Sequence, residues 1–179
     1  WIEDQDFFRF SGIFRSVYLY AKPKVHVRDI WLKAELLSGN TTGQLTPVIK
    51  LDGETEGAKV HLRLTDREGY ALYDDFTDGS AITLEGIHPW SHEKPILYHA
   101  VLTLQDASSA VQEVVPYDIG FRRFEMLNGV MCLNGKRIVF NGVNRHEWNP
   151  KKGRAIDADD MHAAMAVFKK NNINAVRTC

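Results

Sequence analysis

Cysteine is almost absent from this chain, with only Cys132 and Cys179 in 179 residues. Two thiols build neither a disulfide framework nor a four-ligand zinc site. Such sparing use suits a reducing compartment. No apolar run approaches the ~18 residues of a membrane span. Nor is there a basic cluster: 22 Lys and Arg face 23 Asp and Glu, for a net charge of −1. Neither a membrane nor nucleic acid is therefore expected as a partner. A Gly-rich phosphate loop, a Gly-x-Ser-x-Gly elbow and His/Cys metal spacing are missing too. No signal-peptide pattern occurs within these residues, and an original targeting segment would lie outside them. The chain begins at Trp1 rather than a methionine and stops at Cys179 inside a predicted strand. Both ends read as cuts through a longer polypeptide.

What is present is enough for a core, since 44% of the residues are hydrophobic. Residues 1–20, WIEDQDFFRFSGIFRSVYLY, are aromatic-rich with an acidic cluster, and Ser16 to Tyr20 are predicted as a strand. Residues 21–122 read as all-β. Val60, Leu62 and Leu64 alternate with His61, Arg63 and Thr65, the period of a half-buried strand. Further strands are expected from Val25 and Val27, over Thr46 to Leu51, Ala81 to Leu84, Leu97 to Leu104 and Val111 to Phe121. Turn signals separate them at Asp52-Gly53, Glu68-Gly69, Asp78-Gly79 and HPWSHEKP, where His88 and His92 are expected on the surface. Strands at this spacing predict an immunoglobulin-like sandwich of about seven, held by packing without the antibody-type disulfide.

From residue 123 the pattern changes. Asn128-Gly129 and Asn134-Gly135 punctuate apolar runs, a strong hairpin signal because both residue types tolerate φ > 0. A strand over Arg137 to Val143 is followed by a polar loop, Asn144 to Ile156. Asp157 is the expected cap of a helix, with Asp159 and Asp160 in its first turn. Met161, Ala164, Met165 and Phe168 fall on one face, predicted to be buried. Lys169, Lys170 and then Asn171 or Asn172 close the helix, and Ile173 to Arg177 form a second strand. Strand, helix, strand is a βαβ unit with parallel strands, which is the opening of a larger α/β structure rather than a domain.

Ligand sites of such structures lie at the C-terminal strand ends. The stretch GVNRHEWNP, residues 142–150, sits there, and parallel pairing brings Arg177 to the same end. Each candidate carries a bland alternative. His146 is either a ligand contact or a loop histidine bonded to backbone. Arg177 supports chemistry or a buried ion pair. Glu147 ties down Arg145 or Arg177, a supporting rather than catalytic part. Trp148 stacks on a sugar or packs the loop. The acidic cluster Glu3, Asp4 and Asp6 is a solvated loop or a cation site of hard oxygen ligands.

Five segments together resemble glycoside hydrolase family 2, and within it the large bacterial β-galactosidases. They are EDQDFFRFSGIFR (3–15), HPWSHEKPILYHAVLTL (88–104), DIGFR (118–122), LNGKRIVFNGVNRHEWNP (133–150) and NNINAVRTC (171–179). They occur in the family's order and at about its spacing. The resemblance implies a mainly β chain in three parts: 1–21 as the C-terminal end of a sugar-binding jelly-roll, 22–122 as an immunoglobulin-like β-sandwich, and 123–179 as the first βαβ unit of a TIM barrel. It implies a fragment of a retaining β-galactosidase acting on galactosides such as lactose. Asp6 and His146 would bind substrate, Asp6 would also hold sodium, and Arg177 would support the nucleophile. No catalytic residue lies in these 179, because both family glutamates follow the match to Cys179; the fragment itself is expected to be inactive. Magnesium and sodium are expected in the whole enzyme but no cofactor in the fragment. A bacterial cytoplasmic location and a homo-oligomer are implied as well. The sequence departs from the family pattern at Trp148-Asn149, where some relatives carry two histidines. β-Glucuronidases, which usually have lysine in place of Arg145 and lack the EDQD form, or another family 2 glycosidase are the alternative, as is a non-catalytic β-sandwich module binding carbohydrate or acting as a spacer.

Overall fold

The computed structural model describes residues 12, 13 and 15–178. It is mainly β, with twelve strands and one helix. Two compact units are formed, one spanning Ala21–Ile138, the other holding the described residues before Ala21 together with those from Val139 onward.

The first unit is a sandwich of seven strands: β1 (Val25–Leu36), β2 (Thr42–Gly53), β3 (Lys59–Thr65), β4 (Ala71–Thr77), β5 (Ile82–Glu85), β6 (Tyr98–Gln105) and β7 (Val111–Ile119). One sheet has the order β1-β2-β5 and the other β4-β3-β6-β7, and all pairings are antiparallel. The alternation predicted for β3 holds, since Val60, Leu62 and Leu64 are buried and Arg63 is exposed. They join Leu36, Leu45, Leu84, Ile87, Leu102, Leu104 and Phe121 in one core. Each such side chain contributes about 1.5–3 kcal/mol by leaving water.

The sequence reading missed β4. Its run ALYDDFT carries two adjacent aspartates, residues of poor strand propensity. The fold accepts Asp74 because it lies across from Arg63, pairs with it (3.5 Å) and has His61 Nε2 at 3.2 Å. Strand β7 ends at Ile119, short of Phe121, where Gly120 lies so close to Trp90 that a Cβ would fall 2.8 Å from the indole. Phe121 then turns into the core against Tyr98, edge to face at 5.4 Å. His88 is exposed as expected; the ring of His92 is half covered instead, with its Nδ1 buried.

Every edge of the sandwich is blunted. Strand β4 carries Asp74 and Asp75, β7 has Pro116 within it, β5 is four residues long, and β1 is bulged between Val27 and Asp29.

A three-stranded meander extends the same unit: β8 (Phe124–Leu127), β9 (Val130–Leu133) and β10 (Lys136–Arg137). Both Asn-Gly pairs make its turns, all four residues with positive φ (49° and 77°, 54° and 81°). A knot of hydrogen bonds ties it to the sandwich. Asn134 Oδ1 accepts from the Arg123 N–H (2.9 Å), and its Nδ2 donates to the Trp90 carbonyl (2.9 Å). The Arg123 guanidinium donates to the carbonyls of Leu36 and Leu37 at the end of β1 and to Glu125.

The second unit contains β11 (Gly142–Arg145), α1 (Ala158–Lys170) and β12 (Ala175–Thr178), with β11 and β12 parallel. This is the predicted βαβ unit with three corrections. The expected strand from Arg137 to Val143 is two strands, β10 and β11, in different sheets, separated by residues 138–141. Asn144 and Arg145 therefore belong to the strand rather than the loop. Ser16 to Tyr20 form no strand and are exposed, because no sheet edge among the described residues pairs with them. The helix face of Met161, Ala164, Met165 and Phe168 is not buried: the two methionines are 38% and 43% exposed, and a two-stranded sheet is too narrow to cover a four-turn helix.

Candidate functional site

The parallel pair is fixed at its N-terminal end by two asparagines. Asn141 N–H donates to Asn174 Oδ1 (2.8 Å), Asn174 N–H donates to the Asn141 carbonyl (3.0 Å), and Asn141 Nδ2 reaches the Asn172 carbonyl (2.8 Å). Asn174 Nδ2 adds a bond to the Val139 carbonyl (2.8 Å). This clasp sets the register in which Gly142 faces Ala175 and Asn144 faces Arg177. Period-2 alternation puts those four on one face and Val143, Val176, Arg145 and Thr178 on the other. The first face has two small residues followed by two polar ones. At the glycine a Cβ would sit 3.4 Å from the Ala175 Cβ.

Helix α1 returns the chain from β11 to β12, and its ends are as the sequence predicts. Asp157 caps it in a reciprocal box with Asp160, each side chain accepting from the other's backbone N–H. At the far end both candidate asparagines are used. Asn171 is the cap and Asn172 follows with φ 55°, while Ile173 N–H bonds the Phe168 carbonyl and Asn172 N–H the Lys169 carbonyl.

His146 is the first residue past β11, two residues beyond Asn144, and is exposed; Arg177 is exposed on the rung beside Asn144. The structure thus brings Asn144, His146 and Arg177 to one strand end, with Arg177 exposed. Asp6, with Glu3 and Asp4, lies outside the described residues. Among the described residues no group of three or more His, Cys, Asp or Glu could hold a metal. No helix among them is long and apolar enough to cross a membrane.

The loop after His146 is folded rather than slack. Glu147 pairs with Arg15, correcting the expectation of Arg145 or Arg177; a partner 132 residues away leaves no local trace in sequence. The same guanidinium donates to the Arg154 carbonyl. Asn149 exchanges both backbone bonds with Gly153 (2.8 Å each). Its Oδ1 accepts from the Lys151 and Lys152 N–H groups, and its Nδ2 donates to Asp160 Oδ1 (2.7 Å). Lys152 Nζ bridges Asp157 (2.6 Å) and Asp160 (3.0 Å). With the Lys152 ammonium as its largest influence, then backbone and Asn149 donors, the Asp160 carboxyl is held down at about 2, and the Lys152 ammonium is raised in turn. Sequence reasoning missed Lys152, and it marked Asn149 only as a departure from the family pattern, not as the frame of the loop. The Asn-Pro turn signal was available for Asn149, but nothing local pointed to a carboxylate eleven residues on.

A seven-stranded antiparallel sandwich followed along the chain by a parallel βαβ unit, with polar residues collected at its strand ends, is the layout of a β module ahead of an α/β-barrel domain. The pattern described as "Glycosyl hydrolases family 2" matches residues 25–122, and "Glycosyl hydrolases family 2, TIM barrel domain" matches 124–179. The chain belongs to glycosyl hydrolase family 2. It is similar to a Beta-galactosidase of Streptococcus thermophilus, 49% identical over 99% of this chain and 18% of that protein. A Beta-galactosidase large subunit of Lactobacillus acidophilus is 44% identical over 100% of this chain and 30% of its own length. Among solved structures, Parabacteroides merdae Beta-Glucuronidase superposes with a TM-score of 0.77 at 23% identity, over 87% of this chain and 21% of that one, a likeness of fold alone. Bacteroides uniformis beta-glucuronidase 3 gives 0.74 at 27%, over 88% and 20%. The chain thus spans from under a fifth to under a third of the length of these relatives.

Proposed function

We propose that these residues are the sandwich and barrel opening of a retaining β-galactosidase that cleaves terminal β-galactosides such as lactose. The observation that carries this reading is 49% identity to a β-galactosidase along 99% of the chain, the His146 loop included. Residues 1–21 are assigned to the end of a jelly-roll domain, 22–122 to the sandwich and 123–179 to the barrel. In the retaining reaction one carboxylate attacks the anomeric carbon while a second, ~5–5.5 Å away, protonates the leaving oxygen and later activates water. Neither carboxylate is assigned within these residues. Arg177, on the strand-end face beside Asn144, is assigned to orient the nucleophile and keep it ionised. His146 and Asp6 are assigned to the sugar hydroxyls, where contacts accelerate the reaction only if they tighten in the transition state. Magnesium and sodium are expected in the whole enzyme, sodium at Asp6; the described residues offer neither ion a ligand cluster, and the steps above pass through neither. A homo-oligomer in the bacterial cytoplasm completes the proposal.

The test is expression of the complete polypeptide in which these residues occur, assayed on nitrophenyl β-galactoside and β-glucuronide. Preference for the galactoside is expected, and preference for the glucuronide would replace this reading with its sister activity. The 179 residues alone are expected to hydrolyse neither, since two parallel strands do not close a barrel of eight; turnover by them would refute that part.

A further inference from the structure

The galactosidase reading leaves Trp148 without a task, and its surroundings supply one. Trp148 is 42% exposed, so part of its indole faces water. More than half of it is covered, yet among the described residues no aromatic ring lies against it and its one hydrogen bond is through the backbone, from its N–H to the His146 carbonyl at 2.9 Å. The chain on both sides of it is tied by hydrogen bonds and an ion pair. Glu147 before it is paired with Arg15. Asn149 after it is held by the two Gly153 bonds and by Asp160, and Asp160 is itself held by Lys152 and the Asp157 cap. A rigid frame around an exposed indole is the arrangement expected of a preorganised contact surface, because the ordering cost is met before a ligand arrives.

Position along the chain says which part of a ligand it meets. Asn144 and Arg177 lie on the strands, His146 follows at the strand end, and Trp148 lies a further two residues out on the loop. Resting on the galactosidase reading, we infer that Trp148 is a specificity-determining platform for the leaving group. Its indole stacks on the apolar C–H face of the sugar or aryl ring released from galactose. Asn149, Lys152 and Asp160 are positioning residues that act through it.

The test compares substrates with and without a ring in the leaving group, in the full-length enzyme: lactose and nitrophenyl β-galactoside against β-galactosyl fluoride. For Trp148→Ala the fall in kcat/KM on the two ring-bearing substrates should exceed the fall on the fluoride by about three- to tenfold, the range of one aromatic contact. On lactose it should be carried mainly by KM. Trp148→Phe should restore most of the difference, and Asn149→Ala should reproduce part of it without touching the indole. An equal fall on all three substrates, or no fall on any, would overturn the inference. A wild-type enzyme that leaves the fluoride intact would instead sink the galactosidase reading itself.

Discussion

Asn128 and Asn134 offer a paired experiment within one meander. Both precede a glycine, both take the left-handed conformation (φ 49° and 54°), and both make a tight turn between strands. They differ in what their side chains hold. No side-chain bond of Asn128 occurs among the described residues, whereas the Asn134 amide accepts from Arg123 and donates to Trp90. Replacing either by alanine costs the same backbone penalty, on the order of 1 kcal/mol for a Cβ-bearing residue without a polar side chain at positive φ. Asn134→Ala loses two further hydrogen bonds, each worth about 0.5–1.5 kcal/mol, and leaves the Arg123 N–H and Trp90 carbonyl in need of water. The difference between the variants should therefore be about 1–3 kcal/mol. Urea unfolding followed by tryptophan fluorescence reads it as a lower midpoint with unchanged slope, Trp31 and Trp90 both lying in this unit. Equal destabilisation by the two substitutions would show that the amide bonds contribute nothing and that the meander is held to the sandwich by other means.

Two further outcomes test the packing and the loop frame. A Cβ at Gly43 would sit 2.7 Å from Phe121 Cδ1 and 3.0 Å from Ile87 Cγ1, both fully buried, so Gly43→Ala should cost about 1–3 kcal/mol in the same urea assay; a neutral result would mean the ring yields freely. The Asp160 carboxyl, depressed to about 2, binds fewer protons folded than unfolded, so its contribution is complete above about pH 4 and is lost as pH falls toward 2. The raised Lys152 ammonium works in the opposite sense, its contribution being lost only as pH rises through its folded value. Lys152→Met should move the Asp160 titration, followed by its carboxyl carbon shift, up toward the ordinary carboxylate range, and a midpoint still near 2 would show that backbone and Asn149 donors suffice.

Local chemistry made much of this fold legible. Strand β3 shows its period plainly, the Asn-Gly pairs name their turns, and Asp157 names its helix. What escaped depended on distant partners. Asp74 of β4 looks wrong for a strand until Arg63 is placed across from it and His61 within reach. The apolar run through residues 137–143 looks continuous until its halves join different sheets. At the site, the convergence of His146 and Arg177 followed from the βαβ pattern, because parallel pairing is a consequence of connectivity. The Arg15–Glu147 pair and the Asn149–Asp160 frame did not, since neither spacing nor periodicity encodes which loop carboxylate a remote cation will meet. The exposed methionines of α1 mark the same boundary: a sequence announces an apolar face without saying what covers it.

The blunted edges of the sandwich have a bearing on synthesis. The chain emerges from its N-terminus, so the sandwich is available to fold before the later strands of a barrel have been made. A barrel sheet protects itself only on closing, and until then its strands are open to any neighbour. A seven-stranded module finished early, with an acidic pair, a proline, a bulge and a short strand at its four edges, offers those waiting strands no template to pair with.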